Sequence, residues 1–119
     1  MGKLDAMAVT EPLDEAASLR AAAALDIPEI QAWASRFDLL SDVNRLRLLL
    51  CLHRAPDLAV TDLAAALEMS VTAVSHALRL LRQSGCVSST REGKSIRYRL
   101  ADDTIHEVLH SIGAGHHPA

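Results

Sequence analysis

The fold is decided by residues 61–100, which read TDLAAALEMSVTAVSHALRLLRQSGCVSSTREGKSIRYRL. Thr61 predicts the N-cap of a short helix, and Ser70 predicts the N-cap of a second helix after a break, because Thr and Ser are favoured caps. Gly85 is the expected end of the second helix. The apolar side chains of that helix recur at helical spacing and predict its inward face: Val71, Val74, Leu78 and Leu81.

The period of the pattern changes from helix to strand after Gly85. Ser95–Leu100 alternates between apolar and polar residues, as a half-buried strand does. Its apolar face consists of Ile96, Tyr98 and Leu100. Cys86–Arg91 is the expected partner strand, with the turn at Glu92-Gly93. Two helices, a tight turn and a basic hairpin predict a winged helix-turn-helix, mainly α with a small β-hairpin wing.

Further helices are predicted before this stretch. Residues 13–25 are rich in Ala and Leu, which are strong helix formers, and Pro28 suits the first position of the next helix. That next helix has one apolar stripe: Ile30, Trp33, Ala34, Phe37 and Leu40. Ser41 is the expected N-cap of a third helix that runs to about His53. The inward face of the third helix is predicted at Leu46, Leu49 and Leu50.

The chain is expected to form one main domain with two tails. Residues 1–12 are expected to be a flexible tail, residues 13–112 the winged helix-turn-helix domain with its dimerisation helices, and residues 113–119 a His-containing tail. Asp102 predicts the cap of the last helix, whose apolar stripe is Ile105, Val108, Leu109 and Ile112. That stripe and the first helix lie outside the expected three-helix core, so packing against a second copy would cover them. We therefore expect a homodimer.

Positive charge is concentrated in residues 70–100. This segment has six basic residues and one acidic residue, a net charge of +5, although the whole chain carries −3. A concentration of cations on one surface is typical of a protein that binds phosphates, although a solvated basic face is the alternative. The six basic residues are Arg79, Arg82, Arg91, Lys94, Arg97 and Arg99.

The composition argues against several other classes of protein. No apolar run approaches the roughly 20 residues of a membrane helix. Two cysteines, Cys51 and Cys86, cannot build a disulfide framework or a four-cysteine zinc site, so a reducing cytoplasm is the expected location. The sequence has no Gly-rich phosphate loop, and no nucleophile with a paired base is apparent. We therefore expect that the protein is not an enzyme.

The second helix of residues 61–100 has the features of a DNA-reading helix. Small polar side chains at its N-terminal end, Thr72, Ser75 and His76, would let it approach base edges in the major groove. Arg79 and Arg82 would reach phosphates, as would the capped helix N-terminus and the hairpin tip. The candidate contacts to double-stranded DNA are Ser70, Thr72, Ser75, His76, Arg79, Arg82, Arg91, Lys94 and Arg97.

Four segments together resemble the ArsR/SmtB family of bacterial metal-responsive repressors: Asp42–Leu49, Val60–Ala64, Ser70–Leu81 and Arg91–Leu100. The resemblance covers roughly Trp33 to Ile112. It implies a homodimer that binds an imperfect palindrome and releases DNA when an effector binds. Two residues depart from the family pattern, because Glu68 stands where relatives often have Gly and Ala77 where many have a longer polar residue.

A metal site is predicted near the C-terminus, where four of the six histidines lie. Asp103, His106 and His110 share one helical face, and His116 and His117 follow in the tail. Imidazole and carboxylate are ligands that zinc, nickel and cobalt accept, so a divalent transition metal is the expected effector. The alternative is a solvated polar face. Of the other two histidines, His76 is expected to contact DNA, and His53 to cap a helix or pack in the core.

The resemblance also implies where an effector site can lie. The thiolate site of the family needs cysteines before the recognition helix, and Asp57–Leu63 has none. The C-terminal helix site needs a His where this chain has Thr104, and His106 lies two residues later. The nickel and cobalt sensors of the family, which recruit histidines from a C-terminal tail, are more loosely similar. A thiol sensor would use the two cysteines, for which inert packing is the expectation.

The sequence thus predicts a DNA-binding repressor that a metal releases. The alternatives are a regulator of the same type that responds to another signal or to none, and a winged-helix module for protein interaction. The cations of residues 70–100 argue against the interaction module, which has no need of them.

Overall fold

The computed structural model describes residues 10–114, and the chain divides into two compact units, Met1–Trp33 and Ala34–Ala119. No helix in the described range is long and apolar enough to cross a membrane. The elements in chain order are α1 (Glu15–Ala23), α2 (Ile30–Leu40), α3 (Val43–Arg54), β1 (Leu58–Ala59), α4 (Val60–Leu67), α5 (Val71–Gln83), β2 (Val87–Glu92), β3 (Ser95–Leu100), α6 (Asp103–Leu109) and a π-helical turn (His110–Ala114) in which Gly113 is non-helical, with a φ of 107°.

The first unit contains α1, which confirms the helix predicted over residues 13–25 with slightly shorter bounds. The side chain of Asp14 accepts a hydrogen bond from the Ala17 N–H at 3.0 Å and caps the helix. No residue of α1 is buried. The prediction that Pro28 begins the next helix is wrong. Glu29 has a φ of 64°, in the left-handed region, so helical conformation begins only at Ile30.

The core of the second unit is aliphatic, as the shortage of aromatic residues requires. Its buried residues are Leu48, Leu49, Leu52, Leu63, Ala64, Leu67, Val74, Leu78, Leu81, Cys86, Val87, Ile105 and Leu109. Helix α3 lies centrally because α4, β3 and α6 all contact it. Its predicted inward face is incomplete: Leu46 and Leu50 are half-buried and pack against the core, and Leu48 and Leu52 are buried together with Leu49.

The N-cap of α3 is Asp42 and not Ser41. The Asp42 carboxylate accepts a hydrogen bond from the Arg45 N–H at 2.9 Å. The Ser41 hydroxyl instead donates to the carbonyl of Asp38 at 2.7 Å, at the end of α2. Ser41 and Asp42 are both residues that can cap a helix. Because Ser41 bonds to the end of α2, Asp42 caps α3.

Helices α4 and α5 form the predicted helix-turn-helix. Thr61 does not cap α4, because the chain enters the helix directly from β1 and the N-cap is Ala59, with no side-chain hydrogen bond. Glu68 ends α4 with a φ of 55°, the left-handed conformation in which glycine is usual. Ser70 caps α5 as predicted, since its hydroxyl oxygen accepts from the Ala73 N–H at 3.0 Å. Val71 is 45% exposed, so its predicted burial is wrong.

The wing belongs to a three-stranded antiparallel sheet of order β1-β3-β2, and not to a simple hairpin. Sequence analysis missed β1, since two residues are too few to show a period. Glu92 pairs with Ser95, so the turn lies at Gly93-Lys94, one residue later than predicted. Gly93 has a φ of 62°, which suits glycine at this position.

The last helix, α6, begins at its predicted cap. The Asp102 carboxylate accepts from the N–H groups of Thr104 and Ile105 at 2.8 and 3.1 Å. Ile105 and Leu109 are 0% exposed and belong to the core of their own chain. The prediction that a second copy covers Ile105 and Leu109 is therefore wrong. Ile112, the last residue of the predicted stripe, is 60% exposed.

Candidate nucleic-acid interface

The N-terminal end of α5 presents small polar side chains to solvent. Thr72 and His76 are exposed, and Ser75, one turn after Thr72 and next to His76, is half-buried. Thr72 and His76 line a concavity with Asn44 and Arg45 of α3. Sequence analysis did not single out these two α3 residues. The arrangement allows polar groups from two helices to meet one ligand.

Arg45 and Arg47 of α3 hold the backbone beside this surface. Arg45 donates to the carbonyls of Leu39 and Asp38, both at 2.9 Å, and so closes the end of α2. Arg47 donates to the carbonyl of Leu67 at 3.0 Å, at the end of α4. Because the last carbonyls of a helix lack intrahelical partners, these guanidinium groups stabilise the helix ends that set the geometry of the turn.

A second concavity lies between the C-terminal half of α5 and β3. We name it the wing cleft, and its lining residues are Ser75, Arg79, Arg82, Gln83 and Tyr98. Its volume is about 490 Å³. Within residues 10–114, the guanidinium groups of Arg79 and Arg82 make no hydrogen bond and no ion pair. Two cations therefore share a concave surface whose lining contains no carboxylate.

The arginines of β3 are engaged within the protein. The Arg99 side chain contacts the Asp57 carboxylate through both Nη2, at 2.6 Å, and Nε, at 2.8 Å. Arg97 donates to the carbonyl of Asp57 at 3.3 Å and lies 3.7 Å from the Glu92 carboxylate. These contacts join β3 to the loop before β1, and Arg97 would have to leave them to meet a phosphate.

The wing tip carries the remaining predicted contacts. Arg91 and Lys94 are exposed, and Arg91 donates to the Gly93 carbonyl at 3.5 Å, the longest hydrogen bond at this surface. In the described part of the chain, the Lys94 side chain makes no ion pair or hydrogen bond. Both side chains can therefore reach an external anion at little cost.

The predicted metal ligands are only partly brought together. Asp103, His106 and His110 are all exposed, while His116 and His117 lie outside the described residues. Among residues 10–114, no three His, Cys, Asp or Glu side chains are grouped so that they could hold a metal ion.

His53, at the end of α3, lies beside two of these histidines. Its ring centroid is 4.6 Å from that of His106 and 6.0 Å from that of His110. Sequence analysis gave His53 a core or capping role, because no local pattern relates α3 to α6. The structure places the His53 ring of α3 next to His106 of α6 and His110 of the following turn.

Both cysteines are poor nucleophiles in this fold. Burial, and secondarily the negative charge of Asp102, raise the pKa of the Cys86 thiol to about 11. Burial also raises the pKa of Cys51, against the opposing effect of Arg47. Because the thiolate is the reactive form, these environments agree with the inert packing expected of both residues.

Comparison with known proteins places this chain among bacterial regulators. Residues 42–89 match the family described as bacterial regulatory protein, arsR family. The chain is 39% identical over 88 residues to a transcriptional repressor SmtB homolog of Synechocystis, a match over 74% of this chain and 66% of that protein. It is 42% identical over 90 residues to the HTH-type transcriptional regulator NmtR of Mycobacterium tuberculosis, covering 76% of this chain and 74% of that protein.

Solved structures of regulators are similar in fold. The antimony-specific transcriptional repressor AntR superposes with a TM-score of 0.66 at 37% identity, over 70% of this chain and 75% of that chain. The homodimeric winged helix-turn-helix DNA-binding domain Mb0332 of Mycobacterium bovis superposes with a TM-score of 0.62 at 28% identity, over 84% of this chain and 94% of that chain. All four of these proteins are described as transcriptional regulators or as a possible one.

Proposed function

This chain belongs to the ArsR family of bacterial regulatory proteins, and on that premise we propose that it is a cytoplasmic repressor of transcription. It binds a palindromic operator in double-stranded DNA as a homodimer. A divalent transition metal, zinc, nickel or cobalt, releases it. The observation that carries the proposal is the pair of cations, Arg79 and Arg82, in the C-terminal half of α5, whose side chains have no partner among residues 10–114.

Two levels of contact are expected on the duplex. Thr72, Ser75 and His76 approach base edges, because they are short or planar polar groups at the N-terminal end of the recognition helix. Ser70, with the free N–H groups that follow it, and the cations Arg79, Arg82, Arg91 and Lys94 contact phosphates. Arg97 also contacts a phosphate, after its side chain has left Glu92 and Asp57.

The homodimer is supported by apolar surface outside the core of the second unit. Leu19 and Leu25 are 65% and 69% exposed, and Ile112 is 60% exposed. A second copy is the natural cover for such residues at the two ends of the chain. The homodimeric state of the similar domain Mb0332 supports the same assembly.

The metal part of the proposal assigns five ligands: Asp103, His106, His110, His116 and His117. Since the described residues alone do not form a metal site, the tail histidines or a second copy would have to complete the coordination shell. A metal bound there would tie α6 to the tail or to the partner. It can release DNA only if it binds the free dimer more tightly than the DNA-bound dimer.

The test is binding of a fluorescent duplex taken from the DNA upstream of the coding sequence, measured by anisotropy with a scrambled duplex as control. Preference for the upstream duplex, and its loss on addition of zinc, nickel or cobalt, is the expected result. Failure to bind either duplex would refute the DNA-binding proposal. Binding that none of the three metals weakens would refute the metal effector alone and leave a regulator with another signal.

A further inference from the structure

We propose that the wing cleft (Ser75, Arg79, Arg82, Gln83 and Tyr98) holds one backbone phosphate of the duplex. Gln83 and Tyr98 contact the same phosphate as the two arginines. This inference rests on the proposed function and adds two residues to its DNA surface. It also means that the cleft fixes α5 and the wing to the same phosphate of one DNA strand.

The lining has the chemistry of a site for an anion. Every lining side chain can donate a hydrogen bond: two guanidinium groups, one amide and two hydroxyls. None of them is acidic. A phosphodiester offers two charged oxygens that accept such bonds, and guanidinium groups match that geometry with paired N–H groups.

The two arginines have no competing partner inside the described part of the chain. Arg97 and Arg99, by contrast, contact Asp57 in the loop before β1. Like charges that face one concavity repel each other, and an anion between them removes that repulsion. The protein therefore supplies internal partners to the arginines of β3 and leaves those of α5 for an external one.

Tyr98 is the lining residue that belongs to the sheet. It lies on the central strand, where it pairs with Leu58 on one side and Ser89 on the other. It is half-buried and packs against the core, yet it also lines the cleft. Within residues 10–114 its hydroxyl makes no hydrogen bond. A rigid donor that lacks a partner is suited to fix the position of a bound phosphate.

The test uses the full-length protein, a mixed-sequence duplex and the upstream duplex. Tyr98→Phe and Gln83→Ala each remove one donor, and we expect each to weaken both duplexes equally, by about three- to tenfold. Gln83→Glu places a negative charge in the cleft, and we expect a larger loss that shrinks as salt is added. Ser18→Ala, which removes an exposed hydroxyl from α1, is the matched control and should bind like the wild type.

Charge removal gives a second measurement. Arg82→Gln should lower the slope of log affinity against log salt by about 0.9 for each protomer on the duplex. Arg20→Gln, which removes one exposed arginine from α1, should leave the slope unchanged. Thermal unfolding of every variant shows whether a loss of binding comes from loss of fold.

Two results would overturn the inference while leaving the proposed function intact. One is that Tyr98→Phe and Gln83→Glu bind duplex like the wild type, although Lys94→Ala weakens binding. The other is that these variants lose affinity only for inorganic phosphate, measured by calorimetry, and not for duplex, which would make the cleft a site for the free anion. Absence of duplex binding by the wild type would instead refute the proposed function.

Discussion

Arg99 and Asp57, 42 residues apart in the chain, form a two-point contact: the Asp57 carboxylate lies 2.6 Å from Arg99 Nη2 and 2.8 Å from Nε. Asp57 has a φ of 65°, so the loop before β1 adopts a left-handed conformation at the residue that holds the sheet arginines. Because the carbonyl of Asp57 also accepts from Arg97, one residue fixes two cations of the wing. These contacts engage Arg97 and Arg99 within the protein.

Asp57→Asn tests this contact, since Asn tolerates the left-handed conformation and removes only the charge. Both side chains are substantially exposed, so we expect the free energy of unfolding to fall by less than about 1 kcal/mol in urea denaturation. The difference should vanish near 1 M salt, where screening is nearly complete. Asp26→Asn is the control. A loss above about 3 kcal/mol would show that the pair does more than a surface ion pair can.

We expect the effect of Arg79→Ala on DNA binding to differ from the effects of Ser75→Ala and His76→Ala. Loss of Arg79 should weaken all duplexes alike and lower the salt slope by about one phosphate contact per protomer, because phosphates carry no sequence information. Loss of Ser75 or His76 should reduce discrimination between upstream and scrambled duplexes, by about 1–3 kcal/mol for a lost base contact. Anisotropy over a salt series measures both. If all three variants and Lys94→Ala bind normally, the DNA-reading surface lies elsewhere.

Leu109→Asp should unfold the protomer and so cannot report on the dimer. Leu109 is fully buried in its own chain, and an unpaired charge there costs several kcal/mol. Leu19→Glu is the better test of assembly, since Leu19 is 65% exposed on α1. Sedimentation should show a shift towards monomer in this variant and none in Leu80→Glu, an exposed position on α5. An unchanged dimer in Leu19→Glu would remove that side chain from the interface.

His106→Ala/His110→Ala should bind the upstream duplex like the wild type and fail to release it when zinc, nickel or cobalt is added. The reason is that the two imidazoles are the central ligands of the proposed site. Because imidazole binds metal only when neutral, metal affinity of the wild type should fall as the solution becomes acidic. Release from the double variant at wild-type metal concentrations would place the site elsewhere.

Cys86 should make folding stability fall in alkaline solution. The pKa of its thiol is about 11 in the folded protein and 9.0 in a free side chain. Between these values the unfolded chain loses the proton first, so the stability present below pH 9 declines as pH rises towards 11. The decline should be of the order of 2 kcal/mol larger in the wild type than in Cys86→Ala, measured by urea unfolding. Equal declines would show that Cys86 does not titrate abnormally.

The amino-acid sequence by itself determined the helix-turn-helix and the wing. Ser70 and Asp102 cap the predicted helices, Gly85 ends α5, and Ser95–Leu100 forms the predicted strand. These features depend on hydrogen bonds and on the spacing of apolar side chains within a few residues. Such local interactions can be predicted from the sequence alone. The concentration of cations in residues 70–100 is equally a property of the sequence, and it pointed to the surface on which the proposed function rests.

Only the tertiary structure decided which of these groups meet. It added β1 to the sheet, buried Leu109 in its own protomer, placed Tyr98 in the wing cleft with Arg79, and set the ring of His53 against that of His106. It also divided the basic side chains of the described range into those with a partner there, such as Arg99, and those without one, such as Arg82. Each of these facts depends on contacts between segments far apart in the chain. Periodicity and capping describe one segment at a time, so they cannot specify how several segments pack together.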